Sequence, residues 1–378
     1  MKKLSILILF LTIILILIGL VVVLTASSSI SAIKYGDSFY MFKLHLTRVL
    51  WSVPVFLIAL LLPYDFYKYI SKYLIIFIFL LLILTLFVAA ERKGASRWIS
   101  IMGFQFQPTD PAKLFLIIHL SYLLEKKDEY LKEFIRGYLP QLFWISVISF
   151  LIFIQPNISN ALLISLVSII LLYVGGASRK HIILTFSTIS IPAISFMMMF
   201  NHSRERLLGF INSIFYGGEV NIQVKQALVS LGSGGIFGVG LGNSRQNNLF
   251  LPEAYGDFIF GILGEQFGIL GTLLVILIYI ILVVSGFKVA KLTRDKFGQM
   301  LAFGISLHIG VFALANIMVN LGLLPTTGLP LPFISYGGTS IIFYVMSIGI
   351  LINIAYMNYI RELERNKLRT NTSFNENE

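Results

Sequence analysis

Residues 137–178 read GYLPQLFWISVISFLIFIQPNISNALLISLVSIILLYVGGAS, without one charged side chain. A helix needs about 20 apolar residues to cross the hydrocarbon of a bilayer, so this stretch is long enough for two crossings. Gln155-Pro156-Asn157 in its middle has the composition of a tight turn between them. Working outward, charge-poor runs fall at about 49–64, 73–90, 111–124, 182–200 and 259–285. A charge-free stretch from Phe297 to Ile360 holds two more spans, separated by the Pro- and Gly-rich segment 322–338. At the N-terminus, Met1-Lys2-Lys3 is followed by a charge-free run up to Lys34, longer than the 7–15 apolar residues of a signal peptide, which predicts an uncleaved first helix. The expectation is an all-α, polytopic integral membrane protein of about ten transmembrane helices. One transmembrane domain covers 1–368, with a long extracytoplasmic loop, 201–257, between helices 7 and 8. The polar tail 369–378 is expected to be disordered.

Composition agrees. Of the 378 residues, 57% are apolar and 12% charged, about half the charged share of a soluble domain. A soluble enzyme, a disordered chain and a fibrous repeat are excluded. There is no cysteine, and hence no disulfide, thiolate nucleophile or Cys-based metal site. The net charge of +11 could suit nucleic acid, but in a membrane protein Lys and Arg collect on the cytoplasmic side beside anionic lipid. With the N-terminus inside and ten spans, 18 of the 29 basic residues fall on inner segments, which predicts an N-in, C-in topology and no nucleic-acid partner.

The chemistry-bearing residues lie on the outer side. The loop 201–257 begins with Arg204-Glu205-Arg206, passes through the glycine run 232–244 and ends at Tyr255-Gly-Asp257. The Gly238–Gly242 string has no preceding strand and no βαβ unit around it, so it reads as a turn-rich loop that lets backbone approach backbone or ligand. Asp257 stands directly before the apolar run Phe258–Leu263, and Glu265 follows two turns deeper on roughly the same side. Carboxylates at this depth are costly and are candidates for function, Asp257 as a general base. The plainer readings are a helix-entrance carboxylate favoured by the dipole for Asp257 and an interhelical ion pair for Glu265. Lys113 opens a short apolar span and either snorkels or faces a polar cavity. Trp98 beside Arg97 is an interfacial anchor or part of a site. Basic groups on this side suit an anionic headgroup such as a phosphate or pyrophosphate. The five histidines show no metal-ligand spacing, and no metal residues are assigned.

Gly94-Ala-Ser-Arg-Trp-Ile99, Gln107-Pro-Thr-Asp110 with Lys113, Gln155-Pro156, Gly232–Gln246, Leu251–Phe260, Gly264-Glu265 and the segment 322–338 occur in one order along nearly the whole chain. In these the sequence resembles the SEDS family of integral membrane cell-wall synthases, whose branches are FtsW (division) and RodA (elongation). Gly242-Asn-Ser-Arg-Gln246, Pro325-Thr-Thr-Gly328 and Thr25-Ala-Ser-Ser28 look more like FtsW. There are departures: Tyr255-Gly256 stand where the family commonly has His-Thr, Gln155-Pro-Asn157 lacks an aspartate, and Gln266 replaces the second member of a Glu-Glu pair.

The resemblance implies a peptidoglycan glycosyltransferase in the bacterial cytoplasmic membrane. It would polymerise lipid II at the outer face, with undecaprenyl pyrophosphate leaving. Asp257 would be the catalytic base, with Glu265 as a supporting carboxylate. Arg97, Trp98, Lys113 and Arg206 would bind substrate. No cofactor is required by the sequence, although Mg or Mn could help neutralise the leaving group. A class B penicillin-binding protein (transpeptidase) and division-complex membrane proteins are the implied partners. The small residues of 298–320 (Gly304, Ser306, Gly310, Ala313, Ala315) are an expected partner face. A flippase of the lipid-linked precursor, a scaffold and a RodA-like elongation role are the alternatives.

Overall fold

The charge-free stretch folds as a helical hairpin in the computed structural model, which describes residues 1–88, 90–92, 95–101, 104–187, 198, 201–216, 218, 221–244 and 255–375. Before that hairpin come α1 (Lys2–Tyr35), α2 (Tyr40–Leu61), α3 (Tyr64–Val88) and α4 (Thr109–Lys126). The hairpin itself is α5 (Leu139–Ile154) and α6 (Ile158–Gly175), which ends on Gly176 in the left-handed conformation. The turn is tied to α3 by Gln155, whose amide donates to the Leu82 carbonyl at 2.9 Å. Then follow α7 (Asn201–Phe215), α8 (Ile222–Ser233), α9 (Ile259–Leu292), α10 (Lys296–Asn320) and α11 (Ser340–Asn375).

Among the described residues, eight helices are long and apolar enough to cross a membrane. Of the ten expected spans, two are not in that number. Most of 182–200 lies outside the described residues. The other is α4, whose first turns carry Asp110 and Lys113, and it is no lipid-facing span. It packs against α3, α5, α6, α10 and α11 and is buried along almost its whole length, so its ionised groups meet protein rather than lipid.

Four expectations need correction. The second span starts at Tyr40 rather than near 49, because Arg48 is buried inside α2, donating to the Gly337 carbonyl at 3.4 Å and lying 4.8 Å from the Tyr336 ring centroid. The helical fold carries a small antiparallel sheet in the order β1-β2-β3: β1 (Ala90–Arg92), β2 (Ala95–Ile101) and β3 (Phe104–Phe106). Segment 201–257 is not one open loop, since α7 and α8 occupy much of it. The final helix continues to Asn375, into the tail read as disordered, and 376–378 lie outside the described residues. The small residues of α10 also serve packing within the bundle: Gly304 faces Ile117 of α4, and Gly310 faces Val283 of α9.

One feature of α9 positions everything at its end of the molecule. The helix breaks at Gly268, with φ 68° and ψ −168°, a conformation open only to glycine. The break strands backbone groups, and the glycine run supplies their partners. Val239 and Gly240 donate to the carbonyls of Glu265 and Gln266 at 2.9 and 3.2 Å, while Ile269 and Leu270 donate to those of Gly235 and Ile236 at 2.9 and 3.2 Å. Side chains would prevent this approach: a Cβ on Gly234 would strike the Gly264 carbonyl, and one on Gly268 the Ile236 carbonyl. Gly268→Ala should therefore cost at least about 2 kcal/mol from backbone strain, before any clash. Gly232→Ala, in α8 with open space around it, should cost nothing. Thermal unfolding of the two variants in detergent checks the contrast.

Candidate active site

Asp257 is held by its backbone. Three successive carbonyls, those of Tyr255, Gly256 and Asp257, accept hydrogen bonds from groups distant in sequence. The Tyr336 amide donates to Tyr255 at 2.9 Å, and the Ser335 hydroxyl donates to Gly256 at 2.7 Å. The side-chain amides of Asn316 and Asn320 donate to Asp257 at 2.8 and 3.1 Å. Asn320 also accepts from the Gly261 amide at 3.0 Å, and Asn316 donates to Leu329 at 2.7 Å. Asn316 and Asn320, one turn apart on α10, thus fix both the entrance of α9 and the segment 322–339 against it.

The charge of the carboxylate reaches two cations. Arg97 of β2 and Arg206 of α7 are both half-buried and both feel the Asp257 charge. Burial pulls each guanidinium below its ordinary pKa, and Asp257 opposes that shift. Arg206 also donates to the Thr326 carbonyl at 3.4 Å, and Gly328, at φ +70°, lies beneath the carboxylate, where a Cβ would stand 3.5 Å from Asp257 Oδ2. Trp98 lies against Gly338, so β2 meets the same segment. The structure therefore gathers Asp257, Arg97, Trp98 and Arg206 around 326–338.

The other two sequence candidates sit apart. Lys113 neither snorkels nor stands free. It pairs with Asp110 at 2.9 Å, each side chain 4% exposed, and lies 4.9 Å from the Phe312 ring centroid. Asp110 accepts in turn from the Thr339 hydroxyl at 2.7 Å, and that hydroxyl accepts from the Gln107 amide at 3.1 Å. The pair thereby holds the segment before α11 onto α4; breaking such a pair by removing one partner costs roughly 3–5 kcal/mol. His308, Ser340 and Tyr344 share a small cavity with it. Glu265 is buried and accepts from the Ser244 hydroxyl at 2.5 Å, which joins the end of the glycine run to α9.

Sequence reading missed Asn316, Asn320, Ser335, Thr339 and Arg48. Two asparagines spaced i, i+4 in a span free of charge after Lys296 were a usable signal, since polar side chains at that depth need a partner. Ser335 and Thr339 in a turn-rich segment carried none. Among the described residues no three His, Asp or Glu side chains converge to hold a metal ion.

The family described as "Cell cycle protein" (FTSW_RODA_SPOVE) matches residues 5–360. The probable peptidoglycan glycosyltransferase FtsW of Geobacter sulfurreducens is 35% identical over 340 residues, covering 89% of this chain and 91% of that protein. Stage V sporulation protein E of Bacillus subtilis is 32% identical over 363 residues, covering 95% and 99%. Among solved structures, a chain of a peptidoglycan synthase complex that coordinates polymerization and crosslinking superposes with a TM-score of 0.76 at 22% identity, over 93% of this chain and 97% of that one. The rod shape determining protein RodA of Thermus thermophilus gives 0.70 at 21% identity, over 93% and 96%. The likeness runs through the helices that hold Asp257 as well as through the hairpin from which the fold was read, and by the extent of the match this chain belongs to the FtsW/RodA/SpoVE family of multi-pass membrane proteins.

Proposed function

We propose that the chain is a peptidoglycan glycosyltransferase that polymerises lipid II in cell division. The observation that carries the reading is one carboxylate, that of Asp257, on a turn whose three successive backbone carbonyls are each held by a hydrogen bond, with two half-buried guanidiniums, Arg97 and Arg206, within reach of its charge. The reaction joins a sugar hydroxyl to an anomeric carbon that bears a pyrophosphate. Asp257 takes the proton of the attacking hydroxyl, the new C–O bond forms, and the bond to undecaprenyl pyrophosphate breaks with its electron pair. A single displacement of this kind inverts the anomeric centre. The pyrophosphate needs positive charge rather than a proton, and Arg97 and Arg206 are placed to supply it. Trp98 offers an aromatic face to the sugar or headgroup. Lys113, paired with Asp110, holds the segment before α11 in place, and Glu265 anchors the glycine run.

The site faces outward if the N- and C-termini are cytoplasmic, which the distribution of basic residues supports. At the opposite end of the bundle, Arg361 bonds Asp65 at 2.5 Å and Lys296 bonds Asp128 at 2.7 Å, consistent with a charged cytoplasmic face. A polymerase of this kind leaves glycan uncross-linked, so a class B penicillin-binding protein is the partner its chemistry calls for, together with division-complex membrane proteins.

Asp257→Asn is nearly isosteric and leaves the backbone clamp in place. It should lower glycan synthesis from lipid II by roughly 10²–10⁴-fold. Near-normal polymerisation in liposomes would remove Asp257 from the chemistry, and lipid II flipping without polymer in the unsubstituted protein would turn the reading to transport. For topology, single cysteines are informative because the chain has none. An impermeant thiol reagent on intact cells should label a cysteine at Asn212 and spare one at Glu129, both exposed positions; the reverse pattern would place the site on the wrong side for wall synthesis.

A further inference from the structure

No charged residue stands between Lys225 and Arg245, although this stretch lies in a segment that reads as extramembrane. Its end presents apolar side chains outward: Ile236 is 59% exposed, Phe237 80%, Val239 39% and Leu241 52%. A glycine-rich loop in water has no reason to display four such groups in six residues.

The place of this loop along the bundle follows from helix packing. Gly286 faces Ser306 and Gly310 faces Val283, an antiparallel register that brings Gly268 about one turn beyond the end of α10. The Gly261 amide also bonds Asn320, at that same end. Residues 259–267 therefore run across the end of α10. The 24 residues after the break, 269–292, rise about 36 Å and account for the crossing by themselves. The loop is stapled at the break, at the edge of the bilayer.

What lies next to it identifies its surroundings. Ile269 and Leu270, whose amides bond the loop, are 54% and 52% exposed, and below them on α9 Leu273 and Leu274 are 55% and 56% exposed. These belong to the lipid-facing side of a membrane span, and the loop's apolar groups extend that surface without an intervening charge. Irregular backbone is tolerated at membrane depth only where its polar groups are met within the protein. The exchange of hydrogen bonds across Gly268 meets that condition for the carbonyls of Gly235 and Ile236 and the amides of Val239 and Gly240.

We propose that residues 236–241 form a membrane-dipping loop whose Ile236, Phe237, Val239 and Leu241 side chains contact the acyl chains of the leaflet on the Asp257 side. The bilayer thus holds the far side of the element that closes the α9 break. This surface is independent of the reaction assigned above, and its test does not use activity.

Spin labels on single cysteines replacing Phe237, Leu241, Leu273 and Glu129, in protein reconstituted into phosphatidylethanolamine–phosphatidylglycerol vesicles, read the answer by power saturation. Collisions with oxygen, which partitions into lipid, are compared with those of a water-soluble nickel chelate. Labels at Phe237 and Leu241 should give an oxygen-to-nickel ratio close to that at Leu273 and severalfold above that at Glu129. Two loop positions guard against local disturbance by one label. A ratio matching Glu129 at both would overturn the proposal and leave the patch to a protein partner.

Discussion

Backbone polar groups cannot be left unpaired where water is scarce, and this requirement organises the functional end of the molecule. A straight α9 would satisfy itself. The break at Gly268 does not, and the carbonyls of Glu265 and Gln266 with the amides of Ile269 and Leu270 must find partners elsewhere. The glycine run provides them, and it can do so only because Gly234, Gly238 and Gly268 leave room for main chain against main chain. A turn-rich segment without a nucleotide fold around it thus has a structural purpose: it completes a helix that has been interrupted.

The interruption has a consequence for Asp257. With 259–267 running across the end of α10, the start of the helix sits over Asn316 and Asn320, which hold the Asp257 carbonyl and the Gly261 amide. Ser335 and Tyr336 hold the two preceding carbonyls. A carboxylate on a turn fixed at three consecutive peptide groups keeps its orientation when a ligand arrives, which is the preorganisation that proton transfer requires. The departure from the family's usual residues at Tyr255-Gly256 falls on backbone contacts that any side chain can make. Tyr255 adds an edge-on contact with the Tyr336 ring, 5.4 Å between centroids.

Buried charge is handled by enclosure. Asp110 and Lys113 stand on a helix surrounded by five others, and their pairing with each other and with Thr339 replaces water. Arg48 is treated differently, with a carbonyl and an aromatic face as its company. In both cases the charged group reaches the segment 337–339, so the approach to α11 is held from α2 and from α4 at once.

How much of this was legible in advance depends on the range of the interaction concerned. The charge-free stretch 137–178, the turn at Gln155–Asn157, the bounds of α10 and the end of α3 to within a few residues, and Asp257 at a helix entrance could all be read from the chain. Each is a matter of local composition against the fixed thickness of a bilayer. The course of α2 through Arg48, the enclosure of α4, the sheet at 90–106 and the break at Gly268 could not. Arg48 is tolerable only because Tyr336 and Gly337, nearly 290 positions away, come to meet it. Gly268 looks like any other glycine of an apolar span until Gly235 and Ile236 dock on it. The chain by itself determined that it would cross the membrane many times and carry a carboxylate, Asp257, at a helix entrance. Which groups would hold that carboxylate, and which charges would be enclosed, was decided in the tertiary structure, because hydrogen bonds and ion pairs between distant segments exist only once the bundle has closed.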